Sequence, residues 1–256
     1  MEEQLLKIFE GNSELFITTS STGEVDERGK VQVETFTVHE PVTLKLWKDH
    51  LDGKQRIGIK PEKDDLCKWG CIDIDPQSYK DYSQKKVIDI LRDNQLPLIP
   101  VRSKSGGLHL FLFLNDWSPV KDVLKKLHEW NKNFFQALEV FPMNKCMNMP
   151  YFNMNATTEF AYNENNTPIM IGGFLDLVQN KTVTFEQLSN IKVKEYEPEE
   201  DWKHYPPCIQ KMIMDKWSGN HRNDLLYNVG VLEMKKRDGK INIEEMTNIL
   251  AQRNQQ

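Results

Sequence analysis

The stretch from Cys71 to Leu114 constrains this chain more than any other: CIDID, one helix-length spacer, then RSKSGGLHLFLFL. Alternate side chains of a β-strand share a face, so Asp73 and Asp75 point one way and Ile72 and Ile74 the other, the two acids roughly 6.5 to 7 Å apart at about 3.3 Å per residue. Two anions held close on a partly dry face repel, and one is driven to take up a proton unless a cation sits between them. A divalent metal is the simplest resolution. Downstream, Ser103, Lys104, Ser105, Gly106 and Gly107 make a small polar turn whose backbone N–H groups can approach an anion closely, with Arg102 at its entrance and His109 at its exit. Beside a metal-binding carboxylate pair, these groups read as a cradle for a nucleoside triphosphate. Taken singly, the DxD reads as two solvated turn residues and the SGG as an ordinary hairpin turn. Joined by a helix that makes their strands neighbours in one sheet, they read as a site.

The flanking sequence supplies the rest of the framework. Residues 3 to 10 form a short helix pattern, and Leu15 to Ser20 and Val31 to Val38 alternate around a charged turn as a hairpin. Pro41 suits the first turn of a helix carrying Val42, Leu44, Leu46, Trp47 and Leu51 and ending near Gly53, and Arg56 to Lys60 reads as a strand. Tyr79, Tyr82, Val87, Ile90 and Leu91 recur at helical spacing to about residue 94, which predicts a helix covering the Ile72 and Ile74 side. Pro97 and Pro100 place the strand Leu96 to Val101 at an edge or bulge. A long amphipathic helix then starts at Asp116 or Ser118 with Pro119 and runs to Leu138. Glu139 follows in EVFP at the start of a strand. With Val140 inward it joins the face of Asp73 and Asp75 as a third carboxylate; otherwise it is a surface acid at a helix end. Phe174 to Val178 suggests a further helix, and Thr184 with Gln187 makes a capping box.

At 256 residues, with 39% apolar and 28% charged residues, the chain is long enough for one sizeable core and a small appendage. Its net charge of −5 argues against coating nucleic acid by positive charge alone, though not against a local groove. No apolar run approaches the roughly 18 residues of a membrane helix, so a cytoplasmic setting without a membrane partner is expected. Cys67, Cys71, Cys146 and Cys208 are scattered, and without a second ligand pair no zinc is expected. Residues 192–207, charged and proline-bearing, read as a linker between a catalytic domain over 1–191 and a small helical domain over 208–256, with helices near 207–217, 220–237 and 243–253.

The order CIDID, SKSGGLHLFLF, EVFP and NMPYFN resembles the archaeo-eukaryotic primase superfamily, especially the primase-polymerases of phages and mobile elements, over most of residues 55 to 190. The resemblance implies an α+β catalytic domain, a mixed or antiparallel sheet flanked by helices around an RRM-like core, followed by a small all-α C-terminal domain. It implies a metal pair at Asp73 and Asp75 completed by Glu139. It also implies a phosphate-holding turn at Ser105 and His109, with Arg102, Ser103, Lys104 and Gly106 alongside. Many members carry serine where this chain has Gly107, and Asp is common where it has Glu139. The cofactor implied is Mg²⁺ or Mn²⁺, two ions about 3.5 to 4 Å apart. The partners implied are a single-stranded DNA template, ribo- or deoxyribonucleoside triphosphates, and a replicative helicase in cis or in trans. In the tail, Asn220, His221 and Arg222 are candidates for a nucleic-acid contact. The expected activity is primer synthesis or extension. A repair-type polymerase that only extends primers, a metal-dependent nuclease and a non-catalytic single-strand-binding initiator are the alternatives.

Overall fold

Alternating strand and helix periods between Leu66 and Phe141 decide the architecture. The computed structural model describes residues 1–25, 31–76, 83–135, 137, 139–192, 206–207, 210–211, 227–232 and 234. In chain order the elements are α1 (Glu2–Ile8), β1 (Phe16–Val25), β2 (Val31–Val38), α2 (Leu44–Leu51), β3 (Arg56–Ile59), β4 (Glu62–Lys63) and β5 (Leu66–Ile74). Then come α3 (Gln84–Asp93), β6 (Leu98–Arg102), β7 (Leu108–Pro119), α4 (Val120–Trp130), a π-helical turn (Asn131–Phe135) and β8 (Glu139–Phe141). The series closes with β9 (Met147–Asn148), β10 (Ala161–Tyr162), β11 (Pro168–Ile169), α5 (Ile171–Lys181) and α6 (Phe185–Asn190).

From β5 to β8 the order is β-α-β-β-α-β. Strands β6, β7, β5 and β8 lie side by side in that order, each antiparallel to its neighbour, which is the RRM-like arrangement. Short strands β10 and β11 extend this sheet beyond β6, and β4 pairs with the start of β5. A second, four-stranded antiparallel sheet has the order β2-β1-β3-β9.

The period-two alternation sends side chains to two separate cores. On one face Ile72, Ile74, Leu98, Leu110, Leu112 and Val140 pack with Ile88 and Leu91 of α3 and Val123, Leu127 and Trp130 of α4, so α3 covers the Ile72 and Ile74 side as its spacing predicts. On the other, Trp69, Cys71, Ile99, Val101, Phe111, Phe113 and Phe141 pack with α1, α2, α5 and the second sheet. Phe9 centres that core, its ring 5.3–6.2 Å from those of Trp47, Trp69, Phe111, Phe113 and Phe174. A break in register between Cys67 and Trp69 sends Cys67 into the first core while Cys71 enters the second. The two thiols therefore pack on opposite faces and cannot share an ion.

Several boundaries differ from the sequence reading: the long amphipathic helix stops as α4 at Trp130 and passes into a π-helical turn over Asn131–Phe135, and β1 runs on to Val25. Strand β6 is interior, not an edge: Arg102 donates its N–H to the Phe160 carbonyl on the β10 side, and Pro100, two residues earlier, faces the same way. Only Val101 is registered against β10, so the missing proline N–H costs the ladder little. Strand β7 runs on to Pro119, because beyond the irregularity Ser118 and Pro119 pair again with Cys67 and Leu66, and α4 begins only at Val120. Helix α2 starts at Leu44 rather than at Pro41, because the Thr43 hydroxyl accepts the Leu46 N–H at 3.3 Å. The capping box of Thr184 and Gln187 is formed as expected.

The chain divides into two compact units, Met1–Val193 and Lys194–Gln256. In the second, residues 227–232 are helical, while Asn220, His221 and Arg222, Cys208 and most of the linker and tail expectations lie outside the described residues, as do Tyr79, Tyr82 and Leu138. Among the described residues no helix is long and apolar enough to cross a membrane.

His50 ties α2, β3 and the loop after β9 together. Its Nδ1 accepts the Ile57 N–H at 3.2 Å, and its Nε2–H donates to the Pro150 carbonyl at 2.9 Å, a pattern only the neutral ring can make. Burial pushes its pKa down to about 4. Between pH 6.5 and 4 the unfolded chain therefore binds a proton that the folded ring refuses, and stability falls as pH falls, by roughly 3 kcal/mol from this group. His109, also lowered to about 4, acts in the same direction, and Asp73, raised to about 6, opposes. Urea melts over this window should show wild type losing roughly 3 kcal/mol more than His50→Gln; parallel profiles would refute the neutral-ring assignment.

Candidate active site

Successive rows across the aromatic face show where it turns polar. Trp69 pairs with Phe113, then Cys71 stands between Phe111 and Phe141, and then Asp73 stands between His109 and Glu139. Directly opposed residues of an antiparallel pair project to the same side, so the third row sets an imidazole and two carboxylates on one face at the end of a dry core. Val101 continues this row on β6. Asp75, exposed and just past the end of β5, adds its charge from the side.

The electrostatics follow from that crowding. Burial, then the negative charges of Glu139 and Asp75, pushes the Asp73 pKa up to about 6. His109 Nε2 lies 3.5 Å from Asp73 Oδ1, and burial holds the imidazole down to about 4, with Glu159 partly opposing. At pH 7 the ring is neutral, so this is a polar contact and not an ion pair. Glu139 is met by Lys145, whose Nζ lies 3.1 Å from Oε1.

The turn before His109 is built by two hydrogen bonds. Ser103 N–H donates to the Gly107 carbonyl at 2.9 Å and Gly106 N–H to the Ser103 carbonyl at 3.0 Å, closing a three-residue loop of Lys104, Ser105 and Gly106. Gly106 sits at φ +91, the left-handed position that such a loop requires at its third residue. Lys104 and Ser105 are exposed at the tip, and the Ser103 and Ser105 hydroxyls lie 3.0 Å apart. Gly107 packs against the end of β5: a Cβ there would stand 2.0 Å from the Ile74 carbonyl oxygen. That contact locks the turn beside the Asp73 strand.

Arg102 is placed differently. Its register partner is Leu108, which belongs to the other face, and its guanidinium donates to the Thr158 carbonyl at 2.9 Å. It braces the turn from behind. Three further residues near this site escaped the sequence reading: Lys145, and the buried pair Arg56 and Glu159, joined at 2.5 Å with Arg56 stacked 4.2 Å over the Phe152 ring. Arg56 and Glu159 are 103 residues apart, so no local pattern reveals them. Lys145, in the MNKC that directly follows EVFP, is within reach of a charge-pairing argument.

The donor set suits a hard divalent cation: carboxylate oxygens, with no sulfur in the row, and a central acid whose pKa burial and two neighbouring carboxylates raise to about 6. Among the described residues no three His, Cys, Asp or Glu side chains gather on one point, and Glu139 lies against Lys145.

An RRM-like core with an acidic row next to a glycine-bearing turn belongs to the architecture of nucleotide-polymerising primases. The chain is a member of the archaeo-eukaryotic primase family: the family model described as "TOTE conflict system, Archaeo-Eukaryotic Primase domain" matches residues 15–143, just over half its length. That span runs from β1 to just beyond β8 and contains Asp73, His109 and Glu139. Among solved structures, primase RepB′ is similar at 11% identity and a TM-score of 0.34, covering 98% of this chain and 85% of that one. No curated protein matches.

Proposed function

We propose that this chain is a template-directed nucleotidyltransferase that starts or extends strands on single-stranded DNA from nucleoside triphosphates. The observation that carries the reading is the in-register row of Glu139, Asp73 and His109 beside the Ser103–Gly107 turn. Asp73, Glu139 and Asp75 would hold Mg²⁺ or Mn²⁺, which supplies charge neutralisation at the reacting phosphate and acidifies the attacking 3′-hydroxyl. The remaining work falls to groups of the chain. Neutral His109 hydrogen-bonds phosphate oxygen without demanding a proton from solvent. Ser105 and Lys104, at the exposed tip, meet the outer phosphates, and Ser103 orients Ser105. Gly107 fixes the turn against β5 and Arg102 braces it from behind, so that these groups are already in place, which is where phosphoryl transfer gains most of its rate. Template and primer phosphates bind more weakly as salt rises.

Incubation with unprimed single-stranded DNA, labelled nucleotides and either Mg²⁺ or Mn²⁺ tests the proposal. New short oligomers are expected. Degradation of the DNA without nucleotide consumption would identify a nuclease instead, and extension of primed template alone would restrict the activity to elongation.

A further inference from the structure

Lys145, beside the acidic row, has an anchored backbone and an exposed side chain. Its backbone is fixed on each side: Asn144 accepts from Lys60 Nζ at 2.6 Å on its Oδ1 and takes φ +56, and Met147 pairs with Ile59 on β3. Its side chain is nevertheless 58% exposed and reaches Glu139 at 3.1 Å. Glu139 in turn stands directly opposite Asp73, where two like charges would otherwise repel. Resting on the metal and nucleotide reading above, we propose that Lys145 is a resident counter-cation for Glu139, which surrenders the carboxylate to an arriving divalent ion and then binds phosphate.

Three observations converge on this exchange. The Glu139 carboxylate is turned toward the ammonium, and the acids do not yet gather around a common point. The link is an exposed lysine–carboxylate pair, weak enough for a divalent ion to replace. Once released, the ammonium sits on a long flexible stem beside the row where phosphates would arrive, and it carries three donors and no acceptor. The phosphate has two sources, the triphosphate of the incoming nucleotide and the phosphodiester of the template, and the same ammonium chemistry serves either.

The test is Lys145→Gln, with Lys145→Arg as the charge-conserving control. Mn²⁺ titrated alone and followed by electron paramagnetic resonance should bind Lys145→Gln about two- to five-fold more tightly than wild type, since the competitor for Glu139 is gone. With Mn²⁺ saturating, the same variant should bind a fluorescent non-hydrolysable nucleotide, or a single-stranded oligonucleotide, several-fold more weakly; which of the two weakens identifies the phosphate source. Lys145→Arg should behave as wild type in both measurements. A merely structural lysine would not move the two affinities in opposite directions. Unchanged or weaker Mn²⁺ binding by Lys145→Gln overturns the exchange while leaving the site reading standing, and so does unchanged binding of both phosphate probes. Absence of Mn²⁺ binding in wild type overturns both.

Discussion

Asp73→Asn is expected to lower nucleotide incorporation on a primed template at least about a thousand-fold, a barrier increase of roughly 4 kcal/mol, while the protein melts no lower than wild type at pH 7. Asp73 occupies the middle of the polar row, with His109 on one strand and Glu139 on the other. The amide keeps the size and one oxygen but cannot supply the anionic ligand that a divalent ion needs. Stability moves the other way for a definite reason. Folding raises the Asp73 pKa to about 6, so its ionised form is disfavoured in the folded state and costs stability above that pH. Replacing the charge relieves the repulsion from Glu139 and Asp75. The side chain is 27% exposed, so solvent screening reduces the gain to on the order of 1 kcal/mol. Loss of activity together with loss of stability would mean that the carboxylate is structural.

Gly107→Ser carries the second large effect. The family resemblance of the sequence implies that serine is acceptable at this position, so the exchange would be expected to be benign. The backbone says otherwise. Any Cβ at this position would approach the Ile74 carbonyl oxygen to 2.0 Å and Pro76 Cδ to 2.6 Å, and the first of these is main chain that cannot swing aside. Either β7 separates from β5 at the row holding His109 and Asp73, or the turn gives way. A loss of about 3 kcal/mol or more is expected, in the range of severe overpacking, with nucleotide affinity falling as well. Thermal melts of Gly107→Ser and Gly107→Ala against Ser105→Ala check it: the first two should be strongly destabilised and the third nearly unchanged. A soluble Gly107→Ser protein with wild-type melting would show that the strands have room to part.

Much of this architecture is legible in the sequence because the two residue periods are clean. CIDID and LHLFLFL alternate without interruption, and the partition of Ile72 and Ile74 from Cys71 and Asp73 into opposite faces follows from spacing alone. The α3 pattern locates its own face, and EVFP places Glu139 one residue from an inward Val140. The misreadings share a cause, which is dependence on a neighbour that local sequence does not name. Pro97 and Pro100 look like edge residues until the shortness of β10 is known. Asp116 and Ser118 look like the start of a helix until the irregularity in the pairing of β7 with β5 is known, which lets the strand resume at Ser118. Arg102, next to the turn in sequence, is registered against Leu108 on the other face and bonds the Thr158 carbonyl, a placement that local sequence does not show. The buried Arg56–Glu159 pair and the capture of Glu139 by Lys145 are tertiary events between segments whose own patterns are ordinary.

The central claim is that Asp73 and Glu139 share a divalent ion while the loop at Lys104 and Ser105 grips the phosphates of a nucleotide. Crystals grown with Mn²⁺ and a non-hydrolysable nucleoside triphosphate, with anomalous scattering used to find the metal, test this most directly. The account predicts a manganese peak held by the Asp73 and Glu139 carboxylates, with the outer phosphates within hydrogen-bonding distance of the turn and of His109. Manganese bound elsewhere, or a triphosphate lying away from the Ser103–Gly107 turn, would contradict it.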